Sequence, residues 1–449
     1  MAKKSREQWG SKIGFILAAA GSTVGLGNIW RFSYVAGNEG GAAFVLIYLG
    51  VIFFFGYPLL CTEIAIGRTT QKNPVGAFKA LAPNSPWWLV GALSVLTSFF
   101  ILSYYSVIAG WSLSYTFKAL LGAFTPGADF AGLFVGHISQ IWEPIIWHAV
   151  FMLITLTIIG AGVVNGIQRV SKVLMPLLFI LLILLVVRGL TLDGAGAGID
   201  FYLSPDFSKV DGGTFSAALG QAFYTLSLGM AIMITYGSYL NKEDNIGDSS
   251  RMVIGLDTMV AILAGLAIFP AVFAFGFEPN SGPGLAFITL PAVFASMPLG
   301  AFFGFLFFLL LSIAALTSTI SLLEPSVSYL IDEKGWERKT ASLVVGTAIF
   351  LVGIPASLGY SVLSDVSFLG LDLLDSYDFI TNAVFLPIGG LLTSIFAGYV
   401  WGSKNAAQEL NTPPGKFAFG KWYEMLLKYI IPAAILVVLF VGLYAQIVG

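Results

Sequence analysis

Charge is what this chain has least of: 24 acidic and 22 basic residues among 449, or 10%, where soluble domains carry about 25%. A chain so poor in charge has too little polar surface for water, and its formal net charge of −2 gives nucleic acid nothing to bind. Cysteine is nearly absent. The single Cys61, inside an apolar run, excludes a disulfide framework and a cysteine metal centre. The two histidines, His137 and His148, are expected as packing residues near a membrane edge rather than as metal ligands. No phosphate loop, histidine cluster or nucleophile–base pair occurs, so no enzyme is expected. The opening MAKKSREQW is charged and leads directly into an apolar segment, which argues against a cleavable signal peptide.

What the chain does have is apolar length, with 57% hydrophobic residues. Apolar segments fall at 11–36, 41–68, 87–120, 145–163, 167–189, 214–240, 250–277, 300–331, 339–357, 376–401 and 422–447. About 20 such residues cross a bilayer, so these are numbered spans 1 to 11. The expected fold class is all-α: a polytopic membrane protein of eleven transmembrane helices forming one domain over residues 1–449. The stretch 283–298 is short and proline-flanked, and reads as a re-entrant or capping loop helix. With the first residues cytoplasmic, every Lys and Arg except Arg31, Lys118, Arg188 and Lys209 falls on the inner side, from Lys3 and Lys4 to Lys428. That fits the positive-inside rule for a plasma (inner) membrane protein. It places the C-terminus outside, with acids such as Asp193, Asp206 and Asp372 in the outer loops.

Two spans are interrupted. Residues 20–33, AGSTVGLGNIWRFS, put Gly21, Gly25, Gly27 and an arginine inside span 1, and TLSLG at 225–229 interrupts span 6. Unwound backbone at bilayer depth needs a protected cavity or a ligand. Paired breaks in corresponding positions point to the central site of a secondary transporter. Spans 1 and 6 open two five-helix blocks, 11–189 and 214–401. An odd number of helices inverts the second block, so an inverted repeat of spans 1–5 and 6–10 is expected, with span 11 (422–447) peripheral.

GSTVGLGNIWRF in span 1, GQAFYTLSLG in span 6 and ALTSTISLLEP in span 8 resemble the neurotransmitter:sodium symporter family, above all its bacterial amino-acid transporters. The likeness runs in order and spacing through essentially the whole chain. The resemblance implies two sodium ions. The first would take Thr23, Asn28, Thr225 and Asp257 together with the substrate's carboxylate; the second would take Gly21, Val24, Ala314, Thr317 and Ser318. Back-bonding of Thr317 and Ser318 to their own helix is the plain alternative. It also implies a substrate pocket of Thr23, Gly25, Leu26, Gly27, Ile101, Tyr105, Tyr224, Thr225, Ser227, Met230, Ser318 and Leu322. Amine-transporting relatives carry aspartate where Gly25 stands, so a substrate that brings its own carboxylate is expected: an α-amino acid. The pocket's side chains are apolar, which favours hydrophobic or aromatic L-amino acids. Met230, a flexible filler, implies tolerance of size, although Met230 and Leu322 also read as plain core.

Charged residues in the membrane need a reason. By resemblance, Arg31 and Asp378 form an outer gate with Tyr105 and Tyr224. Arg6 and Asp332 form an inner one with Trp9, Ser238 and Tyr239; interfacial ion pairs are the alternative. Glu63 matches a carboxylate that accepts from unwound backbone, and Glu324 carries no assignment. Asp257 stands where animal relatives have asparagine and need chloride, and Ala261 lacks a hydroxyl to hold that anion; chloride-independent transport is expected. Gly166 and Pro176 have the spacing with which some bacterial relatives unwind span 5, with a static kink as the equal alternative. Ser33 replaces a common proline. The expected activity is sodium-coupled import of hydrophobic or aromatic L-amino acids by alternating access, with membrane lipid as surroundings and no obligate protein partner or twelfth helix. A membrane sensor that binds the amino acid without moving it is the rival, and a channel a weaker one.

Overall fold

The computed structural model describes residues 6–278 and 284–448. Lys3, Lys4 and the first residue of the expected loop helix lie outside the described residues. The described chain is helical throughout, its only extended pairing a lone bridge between Phe368 and Leu371.

Among the described residues, nine helices are long and apolar enough to cross a membrane. They are Ala42–Thr70 (span 2), Trp88–Leu120 (3), Trp142–Gly160 (4), Val163–Leu190 (5), Ile246–Ala274 (7), Gly300–Lys334 (8), Arg338–Leu358 (9), Leu373–Val400 (10) and Lys421–Tyr444 (11). Lys12–Thr23 and Gly27–Asn38, bent by 53°, make span 1 when joined. The expected count of eleven is therefore met only if span 6 is read across its break. Its halves, Gly212–Thr225 and Ile232–Gly237, are each too short to cross alone. The apolar loop helix is Leu285–Ala295.

Several helix starts carry side-chain caps, which satisfy amides the helix ladder cannot reach. Ser11 accepts from Gly14, Asn73 from Gly76 with Pro74 behind it, and Asn245 from Asp248. Asp211 and Thr214 form a reciprocal capping box that starts span 6. Burial sorts the spans. The apolar window of span 8 is 89% buried inside the protein and that of span 11 only 28%, so span 8 is a central post and span 11 a peripheral one. Spans 3 and 8 pack side by side, and the first half of span 1 lies against spans 5, 7 and 8. Both breaks are thereby held in the interior, away from lipid.

Candidate functional site

Span 1 stops at Thr23 because Val24 turns extended (φ −77°, ψ 102°). The amides released there find new acceptors. Val24 N–H stays on Ala20 O (2.7 Å), Gly25 N–H goes to Asn28 Oδ1 (3.0 Å), and Leu26 N–H goes to the Tyr105 hydroxyl oxygen (3.1 Å). The last carbonyls of the first half fall outside its ladder. Ser22 O accepts from the hydroxyls of Ser227 (3.3 Å) and Ser318 (3.4 Å), which ties the break to spans 6 and 8. Gly25 is required by close approach: a Cβ there would sit 2.5 Å from Ser318 Oγ and 2.9 Å from the Tyr105 hydroxyl.

Span 6 breaks over 226–231 through three residues in the left-handed region, Ser227 (φ 55°), Gly229 (φ 74°) and Ala231 (φ 64°). Two of these are not glycine, and each costs about 1–2 kcal/mol. Neighbours hold the turn in place. Gly229 N–H donates to Glu63 Oε1 (2.8 Å), the support expected of that carboxylate, and Ser98 Oγ donates to Met230 O.

Between the two breaks lies a small cavity of about 30 Å³. Of the expected substrate contacts, Thr23, Gly25, Gly27, Ile101, Tyr105, Tyr224, Thr225, Ser227, Met230, Ser318 and Leu322 all line it; Ser22, Ile232 and Ser321 are added. Leu26 does not line it, because its amide is spent on Tyr105 and its side chain packs in the core. No side chain in the wall carries a formal charge.

Asp257 lies beside this cavity and is fully buried. Its Oδ1 accepts from Asn28 Nδ2 (2.8 Å) and Thr225 Oγ1 (3.0 Å), while Oδ2 has no hydrogen-bond partner. A buried carboxylate without a counter-charge costs several kcal/mol. Oxygen-rich surroundings of this kind suit a hard monovalent cation. Asn28 bridges Gly25 N–H and Asp257, so its carbonyl oxygen is engaged. At the second expected cation position, Thr317 Oγ1 lies 3.0 Å from Ala314 O and 3.3 Å from Ile313 O, the back-bonded arrangement. Gly21 faces Thr317, since a Cβ on it would approach Thr317 Cβ to 3.2 Å. The carbonyl of Val24 belongs to the break itself.

The two ends of the path differ. At the Arg6 end, Arg6 pairs with Asp332, donates from Nη2 to Ser238 Oγ (2.7 Å) and lies 4.8 Å from the Tyr239 ring centroid. Trp9 donates from Nε1 to Tyr236 O (2.9 Å) and packs edge-on against Tyr236 and Tyr239. Glu324 gains a place here: it accepts from Tyr239 OH (2.6 Å) and takes both oxygens' worth of Arg338 Nη1 (2.9 and 2.8 Å). Glu7 bridges Arg338 (3.3 Å) and the amide of Val163 at the start of span 5 (2.8 Å).

At the other end the expected ion pair between Arg31 and Asp378 does not form. Arg31 Nη1 donates instead to Gln221 Oε1 (2.6 Å), and its guanidinium lies 5.0 Å from the Tyr224 ring centroid. Asp378 Oδ1 is taken by Tyr104 OH (3.0 Å) and Asn382 Nδ2 (2.6 Å). With each partner satisfied elsewhere, the two instead line a cavity of about 500 Å³ above Tyr224. Tyr224 borders both cavities and lies against Gly27, so its ring is the partition between them.

Other expectations resolve by packing. Span 5 is continuous from Val163 to Leu190 with Pro176 inside it and a π-helical turn over Val163–Gln168. A Cβ on Gly166 would sit 2.0 Å from Ile158 O, so that glycine serves the contact with span 4. Ser33 continues the second half of span 1 and donates to Ile29 O (2.9 Å). His148 is buried in the core against Ser106 (2.8 Å). His137 lies in the loop helix Phe130–Ile138, 2.9 Å from Glu143, which also holds Lys118 (2.9 Å). Burial, followed by the Lys118 charge, lowers the basicity of His137, against the pull of Glu143.

Sequence reasoning missed Gln221, Tyr104, Ser98 and Glu7. Gln221 stands inside the quoted span 6 motif, where a lone amide on an apolar helix was the available signal.

Comparison with known proteins gives one consistent result. The model of the "Sodium:neurotransmitter symporter family" matches residues 6–126 and 136–447. An uncharacterized sodium-dependent transporter, YhdH, of Bacillus subtilis is 44% identical over 442 residues, 98% of each chain. The sodium- and chloride-dependent taurine transporter of Homo sapiens is 30% identical over 407 residues, 78% of this chain and 65% of that one. Among solved structures, MhsT in complex with L-phenylalanine superposes with a TM-score of 0.90 at 48% identity, covering 98% of this chain and 100% of that one.

Proposed function

This chain belongs to the sodium:neurotransmitter symporter family, a family of sodium-dependent membrane transporters and not of enzymes, and from that premise we propose that it imports hydrophobic or aromatic L-amino acids with sodium and without chloride. One observation carries the coupling: the fully buried Asp257, whose Oδ2 has no partner, stands next to the cavity between the two breaks. Sodium is the cargo that relieves this buried charge, and Thr225 and Asn28 already converge on the same carboxylate. A second sodium belongs at Gly21, Val24, Ala314, Thr317 and Ser318, reached when Thr317 turns from its own helix carbonyls.

The substrate reading rests on Gly25 and on the wall. No side chain fits at Gly25 beneath Ser318 and Tyr105, so the acid must come with the substrate. The wall offers no formal charge to a substrate side chain, which leaves apolar ones. MhsT, 48% identical, was solved with L-phenylalanine, in keeping with this reading. The cavity of about 30 Å³ has room for about two waters. An amino acid therefore needs the walls to part, and the flexible side chain of Met230 is the wall residue most able to repack. Asp257 supplies the fixed negative charge that chloride supplies in chloride-dependent relatives.

Alternating access follows from the two ends. The Arg6–Asp332 cluster seals one side, which the distribution of Lys and Arg assigns to the cytoplasm, and Tyr224 with Arg31 forms a thinner outer partition. Spans 1–5 (11–189) and 6–10 (214–401) act as the two inverted halves around the site in the plasma membrane, with the C-terminus outside. The test is equilibrium binding of labelled leucine and phenylalanine to the purified chain in sodium or potassium, for the natural protein and Asp257→Asn. Binding that requires sodium, and a sodium requirement shifted at least tenfold upward by Asp257→Asn, is expected. Binding equal in potassium would refute the reading.

A further inference from the structure

On the flank of the bundle, away from the central path, spans 2 and 7 separate into a slot of about 470 Å³. Its walls are apolar, and they include Phe53 at 63% and Met259 at 43% exposure, so it opens toward lipid rather than toward the interior. Two local features make it. Span 2 takes a π-helical turn over Ile52–Gly56, which carries Phe53 and Phe54 outward. Opposite it span 7 has Gly255, where an added Cβ would meet nothing within 4 Å. Below the slot Tyr57 OH donates to Gly247 O (3.2 Å) and closes its end.

The slot has one charged end. From Arg251 to Leu263 span 7 rises about 18 Å, a little over half of the roughly 30 Å hydrocarbon core, which is the depth of one leaflet. Arg251 stands at the end where the basic residues gather. Its Nη2 pairs with Asp248, and its guanidinium lies 4.5 Å from the centroid of Phe417, a ring 65% exposed. Its Nη1 has no acceptor in the protein. Asp248 is shared, since its Oδ1 also accepts from the backbone amide of Lys416 (3.2 Å). A guanidinium with an unspent N–H, above an apolar slot one leaflet deep, is complementary to a phosphate that carries an acyl chain.

We propose that this slot is a binding site for an anionic glycerophospholipid of the inner leaflet. One acyl chain lies against Gly255 between Phe53 and Met259. The phosphate accepts from Arg251 Nη1, and Phe417 turns aside to admit it. The inner face of the same helix carries Asp257, so the lipid braces spans 2 and 7 behind the sodium site.

Native mass spectrometry of the purified full chain, titrated with phosphatidylglycerol or with phosphatidylcholine of the same acyl chains, tests this. The proposal expects discrete phosphatidylglycerol adducts held more tightly than phosphatidylcholine. Arg251→Gln should weaken phosphatidylglycerol about fivefold, the effect of one basic residue at an anionic lipid surface, and leave phosphatidylcholine alone. Gly255→Leu projects into the slot from a position where an added Cβ meets nothing within 4 Å, so it should weaken both lipids while the thermal midpoint in detergent holds. That variant keeps the test decisive if Arg251→Gln folds poorly without its Asp248 pair. Equal retention of both lipids by the natural protein would overturn headgroup recognition. Adducts unchanged in Gly255→Leu would overturn the site.

Discussion

Gly25→Ala adds one methyl group to the narrowest point of the cavity, and the structure sets its cost. The new Cβ would lie 2.5 Å from Ser318 Oγ and 2.9 Å from the Tyr105 hydroxyl, where ordinary contacts start at 3.4 Å. Ser318 Oγ is held by a long bond to Ser22 O (3.4 Å) and can give way. Tyr105 cannot, because its hydroxyl holds the Leu26 amide at 3.1 Å. The break in span 1 or the cross-helix contact must therefore shift by several tenths of an ångström. Overpacking of this kind costs about 1–3 kcal/mol. With so little free volume in the cavity, that cost falls on the substrate-bound state and weakens amino-acid affinity by about 5- to 150-fold. The assay is equilibrium binding of labelled leucine at saturating sodium, with the thermal midpoint measured alongside to separate binding from folding. Gly136→Ala, where the added Cβ meets nothing, is the control and should bind as the natural chain does. Gly25→Ala binding within twofold of the natural chain would refute the reasoning that this glycine is held against Ser318 and Tyr105.

Further predictions concern the residues around the path. Glu63→Ala strips the acceptor from the buried Gly229 amide, which costs about 1–3 kcal/mol and should lower both the thermal midpoint and substrate affinity, read by differential scanning fluorimetry and binding. Asp257→Asn should reduce sodium affinity and uptake, and chloride should not restore them because Ala261 has no hydroxyl to hold the anion; the natural protein should work equally well in gluconate, and uptake abolished by gluconate would contradict chloride independence. Arg6→Ala opens the Asp332 and Ser238 contacts of a partly exposed pair, worth about 1 kcal/mol after screening, and should raise labelling of a cysteine placed at Tyr239 about fivefold. His137 is held neutral by burial and by Lys118, so its folded value lies below the ordinary one of about 6.5. Its share of stability is complete above that pH and declines as pH falls through it, because the unfolded chain takes the proton more readily. The thermal midpoint should thus fall more steeply between pH 7 and 5 in the natural chain than in His137→Gln, and parallel curves would exclude the histidine.

The breaks were legible because glycine announces them. Gly25 and Gly229 mark the points where spans 1 and 6 leave the helix, and the bounds of ten spans lie near the ends of the apolar runs. Ser227 and Ala231 were not legible as left-handed positions, since nothing in their side chains favours that backbone; Glu63 and Ser98, on other helices, hold the turn. The expected contact between Arg31 and Asp378 depended on which neighbour each side chain reaches first. Gln221 and the pair Tyr104 and Asn382 are nearer, and sequence spacing carries no record of that competition. Glu324 could not be assigned before the fold brought Tyr239 and Arg338 to it. The spacing of Gly166 and Pro176 left two readings open; the structure has a continuous span 5, and its glycine is explained by the Ile158 carbonyl pressed against it.

Uptake into proteoliposomes tests the central claim most directly. The purified chain would be reconstituted with an inward sodium gradient, and labelled leucine or phenylalanine followed with and without chloride, with potassium in place of sodium, and in Asp257→Asn. The account predicts accumulation above the outside concentration that requires the sodium gradient, survives chloride removal and is lost or strongly reduced in Asp257→Asn. Sodium-dependent binding with no accumulation would mean that the chain senses amino acids without moving them. Accumulation in potassium would contradict the role given to Asp257.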